Sequence, residues 1–226
     1  MKTFKKVLSL ILAVTPLICT ATAVFFILPD TVAAHFGVNG TPDRYGSKYE
    51  AFILPAIILA LYLIYFFCRK FIYKSSADDN NRAERNLDIT DTVIMLVLVM
   101  MNALNIFLLS IMAKPEYLKD KESTIFVIIS AVIGIMFIVI GNIMPKTRRN
   151  SVIGMRMTFC MDTDEHWYIA NRAGGVAMVI SGLVTVISGL IVRNGSYIIY
   201  MIIALILSLT VASIYSYAII KGENKK

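Results

Sequence analysis

Six stretches of this chain contain no Asp, Glu, Lys or Arg at all: residues 7–28, 51–68, 92–113, 124–144, 173–192 and 197–220. Each is between 18 and 24 residues long. An α-helix needs roughly 20 apolar residues to cross about 30 Å of hydrocarbon, with a working range of about 17–25. Buried helices of a soluble domain would carry a polar stripe at 3.6-residue spacing, and these stretches lack one. The expectation is an all-α integral membrane protein with six transmembrane helices. Composition agrees, since 58% of the 226 residues are hydrophobic and 16% are charged, against about 25% charged in soluble domains.

The basic residues give an orientation. With the N-terminus inside, sixteen of the 22 Lys and Arg lie on the inner side, among them Lys5, Arg69, Arg82, Arg85, Lys146, Arg148, Arg149, Arg156 and Arg172. Arg44, Lys48, Lys114, Lys119, Lys121 and Arg193 remain outside. Such a bias sets topology, so both termini are expected to be cytoplasmic. The net charge of +7 then reads as a topology signal and as affinity for anionic membrane lipids, with no direct nucleic-acid binding. The opening MKTFKK and the stretch Cys19–Ala23 look like a secretory signal. The apolar run continues through Phe25, Phe26, Ile27 and Leu28, and a full span is expected instead.

The chemistry of sites is sparse. Cys19, Cys68 and Cys160 show no paired spacing, and His35 and His166 fall on opposite faces of the membrane in this topology. Nothing in the sequence calls for a metal or another cofactor. Ser181 and Ser188 lack a base within the apolar stretches, and no ionisable group is expected inside a span, where it would mark a transport path. An enzyme is therefore not expected. Asn102 and Asn105 share a helical face and are expected to bond neighbouring helices. Gly175, Gly182 and Gly189 recur every seven residues, a small-residue stripe suited to close helix packing.

The connections differ in character. Residues 29–50 form a long outer loop rich in Pro and Gly. Residues 69–91 read as a solvated inner connection, with Asp88 or Thr90 capping the third span. Residues 114–123 make a short charged outer loop, and Arg193–Ser196 a tight turn. The densest segment runs Gly141-Asn-Ile-Met-Pro-Lys146, Arg148-Arg149-Asn150, Gly154-Met-Arg156, Asp164-Glu-His-Trp167, Asn171-Arg-Ala-Gly-Gly175. Acidic residues at 162–165 suit a helix start, and Trp167 suits the headgroup boundary.

That segment closely resembles the signature of the SdpI family, immunity proteins against the sporulation-delaying killing peptide, and keeps its spacing from Gly141 to Gly175. Met155 stands for a more usual Ile, and Asn171 where His is common. The outer loop, with Leu28-Pro-Asp30, His35-Phe36 and Gly40-x-Pro-Asp-Arg-Tyr-Gly-Ser-Lys48, resembles a domain of unknown function that often precedes the family core. The implied organisation is an N-terminal membrane hairpin over 1–75 and a four-span core over 88–226.

The resemblance implies a multi-pass protein of the bacterial cytoplasmic membrane that confers resistance to a membrane-active peptide. It also implies signalling, by holding a repressor protein at the membrane. Candidate contacts for an extracellular killing peptide are Pro29, His35, Gly40, Asp43 and Lys48. The candidate inner signature is Asn142, Pro145, Asn150, Gly154, Arg156, Trp167, Arg172 and Gly174. Two readings of that inner segment stay open, a binding site or a structural staple between spans four and five. Alternative functions are a small membrane transporter or exporter of peptide or lipid and, as a weaker second, a membrane enzyme.

Overall fold

The computed structural model describes residues 2–75, 80–114, 123–150 and 152–223. Six long helices follow the apolar stretches: α1 (Lys2–Phe26), α2 (Ile53–Ser75), α3 (Asn80–Ala113), α4 (Thr124–Ile143), α5 (Asp164–Val192) and α6 (Tyr197–Glu223). All six are long and apolar enough to cross a membrane. Two strands, β1 (Thr31–Phe36) and β2 (Pro42–Ser47), pair antiparallel between α1 and α2. The outer loop is thus a folded β-hairpin, which its turn formers had not disclosed. Of the expected connections, residues 76–79 and 115–122 lie outside the described residues.

Cross-helix contacts fix how the rods stand. Lys5 of α1 meets Asp88 of α3, Arg69 at the end of α2 meets Asp91 of α3, and Arg82 meets Asp164 at the start of α5. Phe159 packs edge-on against Tyr217 near the end of α6. The start of α1 and the last turns of α6 therefore share one end of the bundle with the described residues between α4 and α5, here called the loop end. The β-hairpin and the α5–α6 turn occupy the opposite, hairpin end.

Helix α3 begins well before its apolar stretch, and this overturns the solvated reading of residues 80–91. Asp88 and Thr90 are interior helical residues, so neither is a cap. A polar face at helical spacing explains the extension. Arg82, Arg85 and Asn86 all turn toward the loop end, where each finds a partner. Asp91 is only 1% exposed. Its carboxylate accepts from Tyr65 at 2.6 Å and from Arg69 at 3.0 and 3.1 Å. This buried carboxylate sits one position ahead of the charge-free run 92–113, in the same helix.

Polar groups inside the bundle serve packing. Pro16 lies within α1 and removes the N–H that the carbonyl of Leu12 would accept from. Asn102 of α3 donates to that carbonyl at 2.8 Å, and Asn105 donates to Thr20 at 3.3 Å. In hydrocarbon no water can repair a freed carbonyl, so a neighbouring helix must.

Helices α4 and α5 meet along the glycine stripe. A Cβ on Gly182 would lie 2.5 Å from the Gly134 carbonyl, and one on Gly175 would lie 2.6 Å from the Gly141 carbonyl. Ser130 fills the same role opposite Gly189. The expected seven-residue period is thus a line of backbone contact. At the far end, Arg193 takes a left-handed conformation (φ 52°) and closes α5.

Candidate functional site

The hairpin end is built from turn chemistry. Gly37 donates to the Thr41 carbonyl and accepts from Gly40, both at 2.9 Å, while Gly40 has φ 86° and sits buried. Such a φ favours glycine. Register shifts fall on either side of His35, and its Nδ1 lies 2.5 Å from Asp43. Lys48 pairs with Asp30 at 2.8 Å and Arg44 with Glu50 at 2.7 Å. Lys48 holds the Asp30 carboxyl below the ordinary carboxylate range, first through their hydrogen bond.

Val32 packs into the bundle with Val24, Leu28 and Ala51, and Ala33 is also buried. Val38, Tyr45 and Tyr49 are each more than half exposed. Of the five outer candidates, His35 and Asp43 are brought together, Lys48 ties the hairpin base to Asp30, Gly40 makes the turn, and Pro29 is exposed beside Asp30. A backbone bond links the β-hairpin to the α5–α6 turn: Gly195 donates to the Val38 carbonyl at 2.8 Å.

The loop end is a web of side-chain amides holding backbone. Asn150 is 2% exposed. Its carbonyl oxygen accepts from Val152 and Ile153, and its amide donates to Arg148 and Ile153. Asn86 of α3 grips Arg148 from both sides, donating to its carbonyl at 3.1 Å and accepting from its N–H at 2.8 Å. Asn171 accepts from the Met155 N–H at 2.8 Å and donates to the Trp167 carbonyl at 3.0 Å. Gly154 has φ 102°, and a Cβ there would lie 2.5 Å from Asn171 and 2.8 Å from the Trp167 ring.

Trp167 is 2% exposed and donates from its indole to the Thr147 carbonyl at 3.0 Å. Its expected place at the headgroup boundary is therefore corrected: it is an internal staple. Thr163 caps α5 by accepting from His166, in line with the acidic start at Asp164 and Glu165. Cys160 is fully buried, and burial raises its thiol pKa.

The inner candidates divide accordingly. Asn150, Gly154 and Trp167 lie in one knot, in which Asn150 and Trp167 are buried and Gly154 is exposed. Pro145 and Gly174 seat the α4–α5 crossing, Pro145 against Gly175 and Gly174 against Met144. Asn142 donates only to Ile138 of its own helix. Arg156 and Arg172 are exposed and stand apart from the knot.

Above the knot lies a basic cleft. A polar cavity of about 320 Å³ is lined by Asn81, Arg82, Arg85, Arg148 and Asp164. Asp164 receives Arg82 through two hydrogen bonds and faces Arg149 at 3.5 Å. Arg85 donates to the Lys146 carbonyl, while Lys146 and Arg148 remain exposed. From the sequence Arg82 and Arg85 are visible only as inner-side charges, and Asn86 not at all. Their 3–4 residue spacing ahead of an apolar stretch was the available signal.

Comparison with known proteins matches two stretches of the chain to protein families. Residues 146–216, which span the knot, α5 and most of α6, match the SdpI/YfhL protein family. Over that stretch the chain is similar to the family. Residues 11–59, from α1 through the β-hairpin into α2, match a domain of unknown function, DUF1648.

An uncharacterized protein from Archaeoglobus fulgidus is 60% identical over 30 residues, which is 13% of this chain and 16% of that protein. The chain therefore aligns with about a sixth of that relative's length. No solved structure matches the chain. Ser181, the candidate nucleophile of an enzyme reading, spends its hydroxyl on the Ala177 carbonyl and Ser208.

Proposed function

We propose that this chain protects a bacterial cell against a membrane-active antimicrobial peptide, from the cytoplasmic membrane, with the loop end inside and the β-hairpin outside. The observation that carries the reading is the Gly195–Val38 bond. It joins the hairpin of the DUF1648 region to the α5–α6 turn of the SdpI/YfhL region. The outer surface is then one unit made by both regions. Its exposed Val38, Tyr45 and Tyr49 beside the His35–Asp43 and Arg44–Glu50 pairs suit an amphipathic peptide, which needs apolar and charged contacts together.

The test is survival of a sensitive strain expressing the chain under peptide challenge. His35→Ala and Asp43→Ala should lower protection at unchanged membrane abundance. Full protection by both variants would reduce the hairpin to a connector.

The basic cleft favours a second role, recruitment of a cytoplasmic protein such as a repressor. Exposed Arg148 and Lys146 beside Arg85 would meet an acidic surface, and opposed charge steers such encounters. The Arg148→Glu variant should lose a neighbouring repressor in co-purification while peptide survival is kept. Equal recovery with wild type would remove this role.

A further inference from the structure

Between α5 and α6 an open groove of about 680 Å³ runs along the outside of the bundle. Its floor is small, made by Ala177, Ser208 and Ala212, and its walls are apolar, with Val176 and Val211 both more than half exposed. The lining runs from 168 to 180 on α5 and from 207 to 219 on α6. At 1.5 Å per residue either edge is about 18 Å long. That is close to the hydrocarbon depth of a single leaflet, about half of 30 Å. A partner's transmembrane helix would need a surface twice as long.

Charge sits at one end only. Arg172 is the sole charged residue of the lining, and no acidic residue lines the groove. It lies toward the loop end, flanked by Tyr168 and Tyr215, both at least half exposed. A long arginine stem on apolar wall can carry its guanidinium outward to the headgroup level. There it meets a phosphate in the two-pronged geometry that arginine favours.

We propose that this groove is a binding site for one anionic phospholipid of the loop-end leaflet, its acyl chain over Ala177 and Ala212 and its phosphate on Arg172. The site would tie the SdpI/YfhL region to lipid composition, whichever peptide or partner the ends of the molecule serve. It assigns Arg172, which stands outside the buried knot, a ligand of its own.

The experiment is native mass spectrometry of the purified full chain given equal phosphatidylglycerol and phosphatidylcholine. Wild type should retain phosphatidylglycerol in roughly five-fold preference, the size expected of one basic residue at the membrane surface. Arg172→Gln should abolish that preference. Val176→Trp and Val211→Trp, which fill the groove from opposite exposed walls, should each reduce retention of both lipids. Arg148→Gln, at the basic cleft, should leave the preference intact.

Several outcomes would overturn the proposal. One is preference surviving in Arg172→Gln. Another is unchanged retention in both tryptophan variants. A third is glycerol phosphate, lacking acyl chains, competing as well as the intact lipid. Efficient disulfide crosslinking of Val176→Cys chains to one another in phosphatidylglycerol nanodiscs would give the groove to a second copy instead.

Discussion

Asn102 donates to the carbonyl of Leu12 across the α1–α3 interface at 2.8 Å, filling the place of the N–H that Pro16 lacks. Asn102→Leu should destabilise the protein by about 1–3 kcal/mol, the cost of an orphaned buried carbonyl. In a Pro16→Ala background, where α1 satisfies Leu12 itself, the same substitution should cost much less. Thermal unfolding of the four variants in detergent measures the coupling, and purely additive effects would refute the repair.

The indole of Trp167 and the backbone at Gly154 form the second testable contact. Trp167→Phe keeps most of the ring but leaves the Thr147 carbonyl unpaired, so a loss of about 1–3 kcal/mol is expected. Gly154→Ala should be as damaging, since φ 102° and the 2.8 Å approach to Trp167 both oppose a Cβ. Membrane abundance and melting temperature should fall together for each. Wild-type values for Gly154→Ala would show that the knot yields freely.

Asp91 supplies the third. Breaking a buried ion pair from one side costs about 3–5 kcal/mol, because the remaining charge is stranded. Asp91→Asn and Arg69→Gln should each lower stability, and the double variant should recover part of the loss. If the double variant is as unstable as the sum of the singles, Arg69 and Asp91 act independently.

The Asp30–Lys48 pair at the hairpin base makes a pH prediction. The folded carboxyl titrates below its ordinary value of 3.8. Its contribution is therefore complete above that value and is lost as pH falls through the depressed folded value. Asp30 is almost wholly in water while the Lys48 side chain is 20% exposed, so solvent screening keeps the effect small. Hairpin proteolysis should rise at acid pH in wild type and be raised at all pH values in Asp30→Asn. An identical pH profile in the two proteins would remove the pair from the hairpin's support.

The sequence by itself determined the spans. Charge-free runs of 18 to 24 residues have one low-energy solution in hydrocarbon, because a helix satisfies its own backbone. The glycine period was equally legible, since a stripe of missing side chains can only invite a close neighbour. The amides Asn102 and Asn105 could be assigned to interhelical bonds but not to partners.

Only the tertiary structure decided the polar architecture at the two ends. The β-hairpin is set by pairing between residues up to sixteen positions apart, Thr31 with Ser47, under a buried face that α1 and α3 complete. Trp167 resembles a boundary anchor as a letter and becomes an internal staple once Thr147 and Gly154 fold over it. Asn86 reaches Arg148, 62 positions away in the chain, and Asp91 is bearable in the bundle because Arg69 and Tyr65 arrive from another helix. A charge or an amide gains its meaning from the group placed opposite it, and no local spacing records which group that will be.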